Sequence, residues 1–297
     1  MQNQNQMRGV VAMLLSGMTF VINDSLMKLT LQSLPPYEVL VLRGLAGSFF
    51  ALLYLIYRGE AQFRPEYLSR PVLLRAFFEC GAILTYIIAL AHAPLGDVTA
   101  LFQTTPLLVI AGLILFQGEK SSLLRIGLVL TGFIGALLVA QPGQGTVSPF
   151  VMLAFITAVF AAARDLAARK ISAEVPAMVS TFILIVTVCV SAIICSLLFE
   201  NWVVPPRAVL ALPIGAGLMM MLGHHFTLLA YRSTSAQTVA PFYYSFMVFA
   251  VIAGYFIFKD VPNTLGFVGM AIIVLSGLAI LTLDKRGNAD VFQSPDL

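Results

Sequence analysis

The sequence predicts an all-α integral membrane protein, with ten transmembrane helices arranged as two inverted five-helix repeats. Three observations carry this. The 297-residue chain is 59% hydrophobic and only 10% charged, with a mean hydropathy of +0.94; soluble domains run to roughly 25% charged. Its apolar residues fall into runs of about 20, the length that crosses a hydrocarbon core. Features of the first half also recur in the second, in the same order and at a near-constant offset.

Charged residues and Pro/Gly breaks delimit spans at 8–31, 36–58, 71–92, 97–117, 122–141, 148–170, 176–199, 208–231, 236–258 and 263–283. The opening "MQNQNQMRGVVAMLLSGMTF" has the look of a secretion signal but no small-residue cleavage site, so it is read as the first helix. Connections are too short to fold as soluble domains. The expected organisation is therefore 8–141 for the first repeat, 148–284 for the second, and a polar, disordered cytoplasmic tail at 285–297.

Charge placement orients the chain. Arg8, Arg58, Arg64, Arg70, Arg75, Lys120, Arg125, Arg169, Lys170, Arg232, Lys285 and Arg286 fall on the side of the N-terminus, while Lys28, Arg207 and Lys259 fall on the other. Basic residues mark the cytoplasmic side, so both termini are expected in the cytoplasm. Cys80, Cys189 and Cys195 lie inside apolar runs without CxxC spacing and read as packing residues, not as a metal site.

The repeat is visible in charge. Asp24 and Lys28 in "INDSLMKL" recur in the second half as Asp165 and Arg169 in "RDLAARK". A four-residue gap stacks each pair on one helix face, where the charges neutralise each other. "ALAHAPLGDVTAL" (89–101) matches "LLAYRSTSAQTVA" (228–240), "LFQGEK" (115–120) matches "FIFKDV" (256–261), and Gly127 and Gly135 match Gly269 and Gly277. Five spans per half is an odd number, which turns the second half upside down; in proteins of that plan the substrate lies near the midplane between the repeats. The two charged pairs then occupy opposite mouths, either as structural pairs snorkelling to the interface or as gate latches.

Ten spans as five plus five, "NDSLMK" with "RDLAARK", Arg43 early in span 2, "APLGDVTALFQTTPLLVIAGLILFQGE" and the final "GFVGMAIIVLSGLAIL" form an ordered set. Over nearly its whole length the chain resembles the drug/metabolite transporter superfamily, specifically its EamA-type ten-helix exporters, with YddG-type aromatic amino-acid exporters as the nearest-looking relatives. The resemblance implies a basket of helices whose cavity is lined by spans 3, 4, 8 and 9. It also implies ATP-independent alternating access in the bacterial inner membrane and export of amino acids or similar metabolites.

Costly polar residues inside the bilayer are candidates for function. Glu79 reads either as half of an ion pair with Arg75 or Arg164, or as a protonatable carboxylate coupling transport to protons. Adjacent histidines at 224 and 225 point about 100° apart; pairing His225 with Tyr86 in the repeat ranks His225 above His224 for the cavity. Thr99, Gln103 and Pro106 form an i, i+4, i+7 stripe, as do Gln237, Pro241 and Tyr244, and proline in a spanning helix frees a carbonyl that needs a partner. Arg43 is expected to pair with Asp24 or Glu38. Gly127, Gly132, Gly135, Gly269 and Gly277 read as close helix packing.

No HExxH, GxSxG or other nucleophile–base pattern supports the alternative of a membrane enzyme acting on lipid or peptide. "GLILFQGEKSS" is only a near miss for a P-loop. No cofactor, metal or nucleic-acid partner is expected; a small-molecule substrate, the bilayer, proton coupling, and a monomer or homodimer are. Drug, nucleotide-sugar and lipid-like cargo remain alternatives within the same fold.

Overall fold

The computed structural model describes residues 2–62, 64–117, 123–140, 149–168, 170–172, 174–233 and 242–293. Every long apolar run is a helix, because in lipid each backbone N–H and C=O must be satisfied within its own segment or in a closed barrel. In chain order these are α1 (Gln2–Thr30), α2 (Pro36–Arg58), α3 (Arg70–His92), α4 (Leu95–Phe102), α5 (Thr105–Gln117), α6 (Leu123–Ala140), α7 (Pro149–Ala168), α8 (Ala177–Phe199), α9 (Arg207–Ser233), α10 (Ser245–Ala253) and α11 (Thr264–Gln293). Among the described residues seven helices are long and apolar enough to cross a membrane, counting Leu95–Leu115 as one, and Ile126–Val139, Ser245–Phe258 and Thr264–Ile280 are shorter apolar helices. The fold is an all-α, multi-pass membrane protein. α11 continues into the polar tail that the sequence reading expected to be disordered.

Span 4 is not one straight rod. Pro106 lacks an N–H and its ring crowds the preceding turn, and the chain turns at Gln103–Thr104 between α4 and α5. The Thr104 and Thr105 hydroxyls donate to the carbonyls of Leu101 and Phe102, each at 2.6 Å, so the break leaves those acceptors satisfied in a medium without water. Near the other end of the chain, α10 widens into a π-type turn at Gly254–Phe258 and stops at Lys259, whose φ of 60° reverses the backbone.

α1 packs on α9 and α3 on α7; α2 packs on α8 and α9; α3 also meets α8; α4 and α5 meet α7; α1 meets α10; α4 meets α10; and α6 packs on α11. Exchanging the first five spans for the last five turns this set of pairings into itself. Two hydroxyl bridges follow the same exchange. Ser16 and Thr227 join α1 to α9 at 2.6 Å, and Thr85 and Thr157 join α3 to α7 at 2.8 Å.

Glycine sets several of these crossings. A Cβ on Gly135 would lie 2.8 Å from the Gly269 carbonyl, and one on Gly217 would lie 2.6 Å from the Gly47 nitrogen. Gly132 faces Leu107 and Ser276, and Gly277 faces the Tyr244 ring. Gly127 departs from the expected pattern: nothing lies within 4 Å of where its Cβ would be. It ends up on an open side of α6, because helical spacing alone does not say which face meets a neighbour.

Candidate functional site

Polar side chains from both halves converge in the interior. On α1, Asp24 is buried; its Oδ2 accepts a 2.6 Å hydrogen bond from the Tyr86 hydroxyl and its Oδ1 a 2.8 Å bond from Asn23 Nδ2. Arg43 on α2 is also buried and lies within coulombic range of Asp24, Glu79, Tyr86 and Cys189. Glu79, one helical turn past Arg75 on α3, receives Arg164 Nη1 at 2.7 Å, while Arg164 Nε binds Asp165 at 2.8 Å. Arg75 donates to the Ser180 hydroxyl on α8 at 2.6 Å. These contacts tie α3, α7 and α8 together at one end of the cluster.

The opposite end is closed differently. Lys28 donates to the Ala93 carbonyl at 2.8 Å, pairs with Asp260 at 3.2 Å, and sits 4.9 Å from the centroid of the Phe258 ring. The expected Asp24–Lys28 pair is therefore not formed. Asp24 points inward to Tyr86 while Lys28 reaches across to the segment after α10. The stem of a lysine is long enough to leave its own helix, and the reversed backbone at Lys259 brings Asp260 to meet it. Asp97, in the first turn of α4, also lies within coulombic range of Asp260 and Lys28.

The other predicted residues divide in three ways. Tyr86 and Thr99 lie side by side in the core, the Thr99 hydroxyl out of line for a regular hydrogen bond. Gln103 is wholly buried and donates to the Tyr243 carbonyl at 3.0 Å, its own Oε1 unpartnered among the described residues. Because the helix turns at Gln103, Thr99, Gln103 and Pro106 do not form the continuous helical stripe that their spacing suggested. Tyr244 is buried against Gly277 of α11. Gln237, Pro241 and Arg169 lie outside the described residues.

The two histidines face different neighbours. His224 stacks edge-on to Phe20 at 5.2 Å and lies in coulombic range of Glu79, Arg75, Arg164 and Arg43. His225 is turned toward α2, its Nδ1 3.1 Å from the Tyr54 hydroxyl. The register of the repeat also differs from the one the sequence suggested. The equivalent bridges Ser16–Thr227 and Thr157–Thr85 match Thr85 of α3 to Thr227 of α9. Tyr86 then corresponds to Leu228, three residues beyond the His225 that the sequence paired with it. Three residues amount to a net turn of about 60°, so the slip alone does not choose between the histidines; the contacts with Phe20 and Tyr54 do.

The sequence reading also passed over Asn23, Asp97 and Ser180, and took Asp260 only as a match for Glu119. Asp260 had the one visible signal, an acidic residue closing an apolar run. Arg43 binds neither expected partner: Glu38 instead accepts the Val203 N–H at 3.0 Å, and both carboxylate oxygens of Asp24 are engaged. Glu200 caps α2, taking the N–H groups of Tyr37 and Glu38 at 2.8 and 3.0 Å, where the helix dipole favours an anion.

Comparison with known proteins fits this arrangement. The EamA-like transporter family profile matches residues 7–141 and again 148–282. The chain belongs to the EamA-like transporter family. Its EamA-like relatives include the pseudopaline exporter of Pseudomonas aeruginosa, 30% identical over 284 residues, covering 94% of this chain and 97% of that one. The riboflavin transporter of Vibrio cholerae is 30% identical over 274 residues, covering 91% of each chain. The S-adenosylmethionine uptake transporter of Rickettsia conorii is 27% identical over 282 residues, covering 94% of each. A solved crystal structure shares the fold with a TM-score of 0.66 at 19% identity, covering 95% of this chain and 99% of that one. As an EamA-like protein the chain is a secondary transporter of small metabolites across a membrane, not an enzyme.

Proposed function

We propose that the protein is an alternating-access carrier, built from two inverted five-helix halves (8–141 and 148–284), that moves small metabolites out of the bacterial cytoplasm. The inverted plan is supported by the twice-matching family profile, by helix pairings that survive exchange of the halves, and by the two equivalent hydroxyl bridges. The basic residues gathered on one side of the spans support cytoplasmic termini.

The observation that carries the reading is the polar interior itself. Asp24, Arg43, Glu79, Arg164 and His224 come from α1, α2, α3, α7 and α9 and lie together in a chain whose exterior is apolar. Charge buried at membrane depth is costly and is retained where it binds cargo or moves. We assign Glu79, Tyr86, Thr99, Gln103 and His224 to the substrate cavity, among spans 3, 4, 8 and 9. The Lys28–Asp260 pair latches one mouth and the Glu79–Arg164–Asp165 group the other. Alternation breaks one latch at a time.

Amino acids, aromatic ones included, are the first substrates to try; relatives named for pseudopaline, riboflavin and S-adenosylmethionine widen the field to other small metabolites. The test is counterflow in proteoliposomes, with labelled phenylalanine, leucine, riboflavin and S-adenosylmethionine. Saturable exchange of at least one compound supports the carrier, and no exchange of any overturns it. Repeating the exchange under a pH gradient, in wild type and Glu79→Gln, tests proton coupling. Acceleration by the gradient in wild type, lost in the variant, supports it; indifference in both removes it.

A further inference from the structure

We infer that Arg43 is the residue that recognises substrate, by binding a carboxylate on it; the inference rests on the carrier reading above and names the class of cargo. Arg43 is 4% exposed and seven residues into α2, about 10 Å along the axis from the first residue of that helix. Among the described residues its guanidinium enters no ion pair, and its buried Nε has no hydrogen-bond partner. Such a group stands out. Arginine cannot shed its proton in a protein, and a buried donor without a hydrogen-bond partner is costly even where nearby carboxylates offset the charge.

The carboxylates of the cluster bond to other donors, and among the described residues none forms an ion pair with Arg43. Asp24 accepts from Tyr86 through one oxygen and from Asn23 through the other. Glu79 accepts from Arg164 at 2.7 Å. Glu38, five residues earlier on the same helix, accepts the Val203 N–H through Oε2, and its buried Oε1 has no hydrogen-bond partner among the described residues, Arg43 included. Asp24 and Glu79 thus offset the Arg43 charge through space while their hydrogen bonds go to other donors. What remains is a rigid fork of N–H groups in the middle of the polar interior, the geometry that takes a carboxylate through two parallel bonds.

Asp24 completes the description of the ligand. It lies within coulombic range of Arg43 and is fixed by Tyr86 and Asn23. A substrate with its carboxylate on Arg43 presents an amino group, where it has one, to Asp24. The cargo class is therefore a carboxylate-bearing metabolite, with amino acids and their derivatives as the members that satisfy both charges. Arg75 and Arg164, the other buried cations of the cluster, have protein partners in Ser180, Glu79 and Asp165 and are left to structure.

The experiment compares acids with their amides. In proteoliposomes, exchange of labelled phenylalanine and histidine is measured against phenylalaninamide and histidinamide, for wild type, Arg43→Gln and Arg43→Lys. Wild type is expected to prefer the acids. Arg43→Gln should lose about tenfold to a hundredfold in transport of the acids, the worth of a charge-assisted hydrogen bond, with the amides unchanged. Arg43→Lys, which keeps the charge without the fork, should fall between. A variant that merely misfolds lowers acids and amides together, and the wild-type comparison needs no variant at all. If wild type exchanges the amides as well as the acids, or Arg43→Gln keeps the acid preference, the Arg43 assignment is overturned while the carrier stands. If wild type exchanges nothing in this panel or the wider one above, the carrier reading fails and the assignment falls with it.

Discussion

Lys28 Nζ lies 3.2 Å from Asp260 Oδ2, joining α1 to the residue two past the end of the π-type turn that finishes α10. The two side chains are 16% and 30% exposed, so the pair is neither fully solvated nor sealed. Lys28 also takes the Ala93 carbonyl, so one ammonium fastens the first, third and ninth spans. On the alternating-access proposal, this contact parts as the mouth assigned to it opens.

Neutralising either partner should favour the open form of that mouth. Lys28→Met and Asp260→Asn are each expected to increase labelling of a cysteine placed at Pro94, read with a membrane-impermeant maleimide. Residues in direct contact show interaction energies of about 0.5–3 kcal/mol, so labelling should rise severalfold. The exchange Lys28→Asp with Asp260→Lys should restore much of the wild-type protection. Equal labelling in all four proteins would remove the pair from gating.

Glu79 and Arg164 form the shortest ion pair among the described residues, part-buried with side chains 11% and 18% exposed. Removing one member of a buried pair typically costs about 3–5 kcal/mol because the other charge is stranded. Arg164→Met strands both Glu79 and Asp165, whereas Asp165→Asn leaves the Glu79–Arg164 bond in place. The expected order of loss in melting temperature, measured in detergent, is therefore Arg164→Met, then Glu79→Gln, then Asp165→Asn.

Glycine substitutions should separate sharply. Gly269→Ala drives a methyl into the Gly135 carbonyl, and Gly277→Ala drives one into the Tyr244 ring; overpacking of this kind costs about 1–3 kcal/mol. Gly127→Ala meets nothing within 4 Å and should stabilise the helix by up to about 1 kcal/mol. Thermal denaturation of the three variants decides it, and Tyr244→Ala added to Gly277→Ala should recover part of the loss.

The two histidines should respond differently to the same change. His224→Ala removes a ring that faces Glu79 and Arg43 and is expected to change the counterflow rate severalfold. His225→Ala removes a bond to Tyr54 on α2 and should lower stability by about 1 kcal/mol while leaving the rate near wild type. The opposite ranking would return the cavity to the face that the sequence alone suggested.

Much of the architecture was legible in advance. Hydropathy runs located the spans, and Pro106 marked the place where span 4 turns. A recurrence between the halves was visible as well, "NDSLMK" and "RDLAARK" placing an acid and a base at the same spacing, and the EamA-like profile matches the chain twice. The site was less so. Asp24 and Lys28 are four residues apart on one helix, yet they choose Tyr86 and Asp260, which are 62 and 232 residues away from them. An i, i+4 spacing makes a pair available; it does not override a buried hydroxyl on one side and an acid with a free carbonyl on the other.

The sequence by itself determined that this chain lies in a membrane as about ten helices, because bilayer thickness and the need to satisfy every backbone group leave a chain of this composition no other form. Only the tertiary structure decided which charges meet, which histidine turns toward the charged cluster and that Arg43 forms no ion pair among the described residues. Those outcomes depend on helix rotation and on contacts between residues far apart in the chain, and a step of one residue, invisible in hydropathy, turns a side chain by about 100° and so to a different neighbour.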